Sequence, residues 1–226
     1  MLTFCAQQWR AISLLMLAAL WIGVFPVWSR WITTAPLDIP ISLVPPGKIE
    51  QLIEIVIPEN YALSLIFERE GVPFEQLDTL LGSMRPPKAG ETLPPGIRVP
   101  IRWSLTSAES RKVAASGDVD SIGTSGWSAA EVTRHLGYVQ ASPGKYIFQA
   151  KVLRSVPELA HIRTRIAIHL RPKSSSSWQI GLVWWGSIGT YLVAWPAAAY
   201  GAFLLLCGGL TRQSTRTLRD KAAQRR

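Results

Sequence analysis

Residues 60–68 read NYALSLIFE, with Tyr61, Leu63, Leu65 and Phe67 alternating against Ala62, Ser64, Ile66 and Glu68. Successive side chains on a strand point to opposite faces, so a period of two sets one apolar row against a core. The same period runs through the neighbouring chain. Residues 51–58 contain Leu52-Ile53-Glu54-Ile55-Val56-Ile57, and residues 96–105 alternate Ile97, Val99, Ile101, Trp103 and Leu105 with more polar side chains. Residues 145–154 carry Tyr146, Phe148, Ala150 and Val152 in the same way, and residues 161–170 carry Ile162, Thr164, Ile166, Ile168 and Leu170. Half-buried antiparallel strands have this signature. Pro100 lies inside its run, which points to an edge strand or a bulge.

Two short helices are expected among the strands. Pro73–Leu81 places Phe74, Leu77, Leu80 and Leu81 on one face, with a proline near its start and Gly82 as its stop. Ser128-Ala129-Ala130-Glu131 has the form of a capping box and predicts a second helix ending at Gly137. Pro143-Gly144 and Pro157-Glu158-Leu159 read as turns, and residues 88–96 and 107–125 as loops. About 140 residues suffice for one core. The expected fold is mainly β, an immunoglobulin-like antiparallel β-sandwich with two short helices, flanked by two transmembrane helices.

The flanks are the apolar segments Ala11–Trp28 and Ile180–Leu210. A bilayer core of ~30 Å needs about 20 apolar residues in a helix. Neither segment holds Asp, Glu, Lys, Arg or His, so neither suggests a transport or proton-relay path. A signal anchor is the favoured reading of the first, with a cleaved signal peptide as the alternative. Its apolar run exceeds a signal core, and the nearest small-residue site, Thr33-Thr34-Ala35, is followed by Pro36. Eight of the ten tryptophans lie in or beside these segments. Trp28, Trp31, Trp178, Trp184 and Trp185 are expected at the outer membrane interface, where amphipathic indoles settle. Ala197 and Gly201 form a small-xxx-small pair that could admit the first helix.

The formal charge of +9 would suggest nucleic acid if it sat on one folded face. It does not: residues 34–177 balance to +2, whereas the tail carries Arg212, Arg216, Arg219, Lys221, Arg225 and Arg226 against Asp220. Basic residues beside a span stay on the cytoplasmic side and attract anionic lipid. Both termini are therefore expected in the cytoplasm and the central domain in the periplasm of a bacterial inner membrane. The division is a short cytoplasmic N-terminus (1–10), a signal-anchor transmembrane helix (11–32), a periplasmic β domain with a serine linker (33–177), an interfacial segment and second transmembrane helix (178–210), and a basic cytoplasmic tail (211–226).

Chemistry is sparse. Of the three histidines, His161 and His169 lie eight apart on one expected strand, ~27 Å at ~3.4 Å per residue, too far to share a metal. His135 is expected to cap a helix C-terminus. Cys5 and Cys207 fall at the cytoplasmic ends of the two spans, leaving the outer domain without a disulfide. There is no phosphate-cradling glycine loop and no nucleophile elbow. Glu68/Glu70 and Asp118/Asp120 read as solvated pairs. No catalytic residue, metal or cofactor is expected. His161, Arg163, Arg165 and His169 would project from one face of the last strand, joined by Lys145 and Lys151 across the Pro157 turn. That basic stripe is the candidate partner-binding face, with a plain solvated sheet face as the favoured reading of the same residues.

Tyr61-x-Leu63-x-Leu65-x-Phe67, Gly71-Val72-Pro73-Phe74, Val99-Pro100-Ile101-Arg102-Trp103 and Pro143-Gly144-x-Tyr146 together resemble an uncharacterised proteobacterial family of membrane-anchored or periplasmic β-sandwich domains, a domain of unknown function. The resemblance covers roughly residues 40–172 and implies a small sandwich outside the cytoplasm, with no catalytic residues to transfer. The resulting expectation is a non-enzymatic inner-membrane protein that presents a periplasmic protein-binding module, with membrane lipids and another protein as partners and no nucleic acid. One form would be an immunity protein against a toxin. The alternatives are an accessory subunit of a cell-envelope assembly or an envelope enzyme.

Overall fold

The computed structural model describes residues 2–82, 96–171 and 177–207. Most of the expected 88–96 loop, most of the serine linker and the basic tail with Arg212, Arg216, Arg219, Lys221, Arg225 and Arg226 lie outside the described residues. The chain forms two compact units, one containing both apolar helices and the other Thr33–Ser177.

The β unit contains β1 (Leu37–Pro40), β2 (Lys48–Ile55), β3 (Glu59–Glu68), β4 (Val99–Ser107), β5 (Val113–Ser121), β6 (Gly126–Trp127), β7 (Glu131–Ala141), β8 (Gly144–Val152) and β9 (Thr164–Leu170). They build two antiparallel sheets, ordered β1-β9-β3-β7-β6 and β2-β8-β4-β5. β3 is central to the first sheet. Its Leu63, Leu65 and Phe67 are fully buried, and even the opposite row of Ala62, Ser64 and Ile66 is buried. Each apolar side chain so covered contributes about 1.5–3 kcal/mol. Trp103 fills the space between the sheets, because Gly117 on β5 and Gly137 on β7 leave room for its indole.

Several expectations change. Residues 128–137 form no helix. Ser128 Oγ accepts from the N–H groups of Ala130 (3.2 Å) and Glu131 (3.1 Å) in the turn between β6 and β7. The capping bonds are present, but they open a strand. Residues 107–125 contain β5, an edge strand whose alternation is muted because only Ser121 is fully covered. The strand expected from His161 begins at Thr164, after a 3-10 turn at Pro157–Leu159. Pro100 sits near the start of β4, an interior strand, where a missing N–H is tolerated.

Among the described residues of this unit one α-helix forms, α2 (Phe74–Leu81), with Pro73 before it and Gly82 after it at φ 87°. Its last carbonyls would be unsatisfied, as at any helix end. Arg134, fully buried on β7, donates to Leu81 O (2.6 Å), Leu80 O (3.5 Å), Ile97 O (2.6 Å) and Ser121 O (3.2 Å). Its guanidinium also lies 5.5 Å from the Phe67 ring centre. Gly96, at φ 79°, passes so close to this helix end that a Cβ would sit 2.4 Å from Leu81 C.

The other unit pairs α1 (Leu2–Thr33) with α3 (Trp178–Gly189), which continues through a π turn at Thr190–Ala194 into a helical segment reaching Cys207. Trp9–Thr33 and Trp178–Cys207, 25 and 30 residues, are long and apolar enough to span a membrane. The helices run antiparallel. Trp21 Nε1–H donates to Thr190 Oγ1 at 2.9 Å, and Phe25, stacked on Trp21, abuts Gly186. A Cβ on Gly201 would come 2.8 Å from Leu15 Cγ, so the first helix is the neighbour that Gly201 admits.

Replacing Arg134 with methionine removes the donor from four carbonyls in one step. Thermal unfolding of the full chain in detergent, followed by circular dichroism, should show a loss of about 3 kcal/mol, or roughly 10 °C. Lysine at this position, which reaches fewer acceptors, should recover only part. An unchanged midpoint for the methionine variant would show that these bonds do not support the fold.

Candidate functional site

The outward face of the five-stranded sheet can be laid out from its register. Tyr138, Ala62 and His169 form one cross-strand row, and His135, Ser64, Ala167 and Asp38 the next. Thr133, Ile66, Arg165 and Pro40 follow, and then Glu131 and Glu68, with Glu68 N–H donating to Arg163 O. A bulge between Leu63 and Ser64 shifts β7 against β3.

Of the four candidate face residues, Arg163 and Arg165 lie together at one end of this face and His169 on the same face four residues further along β9, while His161 lies in the turn before β9. Lys145 and Lys151 do not join them, because β8 belongs to the other sheet. The expected basic stripe is corrected in charge as well. Arg165 pairs with Asp38, its Nη2 donates to Glu131 Oε2 at 3.0 Å, and its Nε lies 3.1 Å from Glu68 Oε1. The hydrogen bond with Asp38 raises the Arg165 pKa most. Burial opposes the rise, and the charges of Asp38, Glu131 and Glu68 add to it. Arg163, largely exposed, lies 3.3 Å from Glu70 and 3.9 Å from Glu68. The face is an ion-pair network of both signs. Asp118, expected in a loop, stands instead on β5 and accepts from Arg102 Nε (3.0 Å) and Nη2 (2.6 Å).

Beyond this network lies a second cluster that the sequence did not reveal. Arg171 sits 4.4 Å over the Tyr138 ring, and the His135 ring lies 4.2 Å from the same ring. Burial lowers the His135 pKa, and the neighbouring His169 and Arg171 lower it further. His169 is lowered by burial, against a smaller upward pull from Glu131 and Asp38. Both imidazoles therefore favour the neutral form at neutral pH. Reading 131–141 with a period of two would have placed Glu131, Thr133 and His135 on this face. Among the described residues no group of three His, Cys, Asp or Glu side chains could hold a metal ion.

On the helices, Trp31, Trp178, Trp184 and Trp185 are exposed, and Trp28 is half-buried against Phe25.

Arg165→Met leaves Asp38, Glu68 and Glu131 facing one another without their shared cation. The full chain should lose about 1 kcal/mol of stability in dilute buffer. Part of that loss should return in 1 M salt, where the screening length falls to ~3 Å. A loss of equal size at both salt concentrations would mean that packing, not charge, is what Arg165 supplies.

A protein from Sulfurospirillum deleyianum, solved by crystallography, is similar in fold: TM-score 0.51 at 20% sequence identity, over 62% of this chain and 99% of that one. No curated protein matches the chain. A family model matches residues 38–170, in agreement with the resemblance drawn from the strand and turn motifs to an uncharacterised family. The match covers more than half the sequence, and the chain belongs to the family described as Domain of unknown function (DUF5625).

Proposed function

We propose that this chain is a non-enzymatic protein of a bacterial inner membrane, held by two transmembrane helices, that presents its β unit to a protein partner in the periplasm. The observation that carries the proposal is the outward surface of the helix pair. Leu17, Leu20, Val27, Leu192, Phe203 and Leu206 are each about 60% exposed or more, on sides that the partner helix does not cover. Water would make such a surface costly, whereas hydrocarbon covers it. The basic tail then sets both termini in the cytoplasm, with the first helix an uncleaved signal anchor.

The β unit is read as a sandwich of the immunoglobulin kind. Supporting this, Tyr61 donates its hydroxyl hydrogen to Ile57 O (3.0 Å) and Tyr146 to Ser142 O (2.9 Å), each just after the chain crosses from one sheet to the other. Burial pushes the Tyr61 pKa up to about 12, consistent with a structural phenol. The absence of enzymatic activity is inferred from the carboxylates that stand together. Asp38, Glu68 and Glu131 are all engaged by Arg165, which suits them to be acceptors in a framework rather than proton carriers. The proposed docking face is the one bearing Arg163, Arg165 and His169 with His161 nearby, and its mixed charge favours a partner of complementary pattern.

The test is affinity capture from detergent-solubilised envelopes with the full chain and with Arg163→Glu, a change at an exposed position. One protein recovered in stoichiometric amount, and lost at least several-fold with the variant, is the expected result. A toxin would assign the immunity role, and a multi-subunit membrane complex the accessory role. Recovery of no partner by the unaltered chain would overturn the binding-module proposal.

A further inference from the structure

Both connections to the flanking helices leave the β unit at one end. Only residues 34–36 separate Thr33, the last residue of α1, from Leu37, the first of β1, a reach of at most ~15 Å. At the other connection, Ser177 immediately precedes α3, and its N–H donates to Glu59 Oε1 at the start of β3, at 2.7 Å. Leu37 pairs with Ile168 and Ile168 with Leu63, so the two attachment points share an end of the five-stranded sheet. The short β2–β3 and β7–β8 connections bring the end of β2 and the start of β8 to the same end. The β4–β5 turn joins them, because Ser107 pairs with Tyr146.

That end is basic. Arg171 just beyond β9, Lys145 at the start of β8, and Arg111 and Lys112 in the β4–β5 turn are all exposed. None of them is ion-paired among the described residues. The exposed acids nearby are Glu54, opposite Lys145 in the register, and Glu109, while Glu59 is buried and occupied by Ser177. Arg163 and Arg165, which do have acidic partners, lie towards the opposite end of β9. Arg171 is also steadied by Tyr138, a half-exposed phenol. A guanidinium held on an aromatic ring is a ready donor pair for a phosphate, and tyrosine suits the headgroup layer.

We propose that this end of the β unit docks on the phosphate headgroups of anionic lipids in the bilayer that the flanking helices enter, with Arg171 and Lys145 as principal contacts and Arg111 and Lys112 beside them. The inference rests on the two-span reading. Linkers this short confine the end to the headgroup region, and each cation within a screening length of an anionic surface strengthens the contact by about fivefold. The unit would then sit differently on anionic and on zwitterionic bilayers.

The test reconstitutes the full chain in nanodiscs of phosphatidylcholine alone and of phosphatidylcholine with phosphatidylglycerol. Amide hydrogen exchange is followed in residues 108–112 and 140–145. The expected result is exchange about fivefold slower in the anionic discs, lost in the double variant Arg171→Gln/Lys145→Gln, which keeps the same basic tail. Equal exchange in both lipids, or protection that survives in the variant, overturns the proposal. Protection induced in phosphatidylcholine discs by free inorganic phosphate would assign the site to a soluble anion and overturn the lipid assignment. Failure of the chain to incorporate even into phosphatidylcholine discs would instead overturn the two-span reading, and this proposal with it.

Discussion

The β unit depends on a buried guanidinium that pairs with no carboxylate among the described residues. Arg134 gathers carbonyls from the end of α2, from the approach to β4 and from the end of β5, while its own strand belongs to the other sheet. Burying a lone cation is costly, and burial lowers its pKa to about 10, still well above neutrality. The compensation comes from charge-assisted hydrogen bonds to groups that would otherwise be unsatisfied. Without it, Leu81 O would lose its side-chain donor, and Ile97 would lose one of the two hydrogen bonds that, among the described residues, fix it at this point. The second is Ile97 N–H donating to Leu80 O at 2.7 Å. Two sheets and a helix are thus joined at one planar group.

Around that point the division of labour is plain. Inner rows of the sheets supply burial, with Trp103 set between Gly117 and Gly137 to close the space between layers. The outer face of the five-stranded sheet carries charge, arranged so that Arg165 satisfies three acids from β1, β3 and β7. The helix pair solves a different problem. There the contacts are close approaches at Gly186 and Gly201 and one indole–hydroxyl hydrogen bond, the kind of packing that works where no hydrophobic gain drives association. One chain therefore contains two units stabilised by different physics.

Much of this was legible in the sequence. β3, β4 and β8 show as period-two runs because their inner rows are uniformly apolar, and α2 shows because Pro73 and Gly82 mark its ends. Both apolar helices follow from length and composition. β7 was hidden for two reasons. Ser128 makes the same bonds to following N–H groups in a helix cap as in a strand-opening turn, and Arg134 breaks the apolar row that it serves. β5 was hidden because an edge strand of small and acidic residues has little to bury. The basic stripe does not form because the chain changes sheets at the Pro157 turn, so β8 and β9 never pair. The acids that hold Arg165 come from strands far apart in sequence, so no local pattern could announce them.

The account turns on the apolar helix pair crossing a bilayer with the β unit on the outer side. The most direct measurement is labelling of single cysteines by a membrane-impermeant maleimide in intact cells, in a chain carrying Cys5→Ser and Cys207→Ser. Ala129→Cys, in the exposed turn leading into β7 at the opposite end from residues 140–145, should label without disruption, whereas Arg226→Cys should label only after the membrane is opened. Labelling of the tail position in intact cells, with the turn position protected, would contradict it.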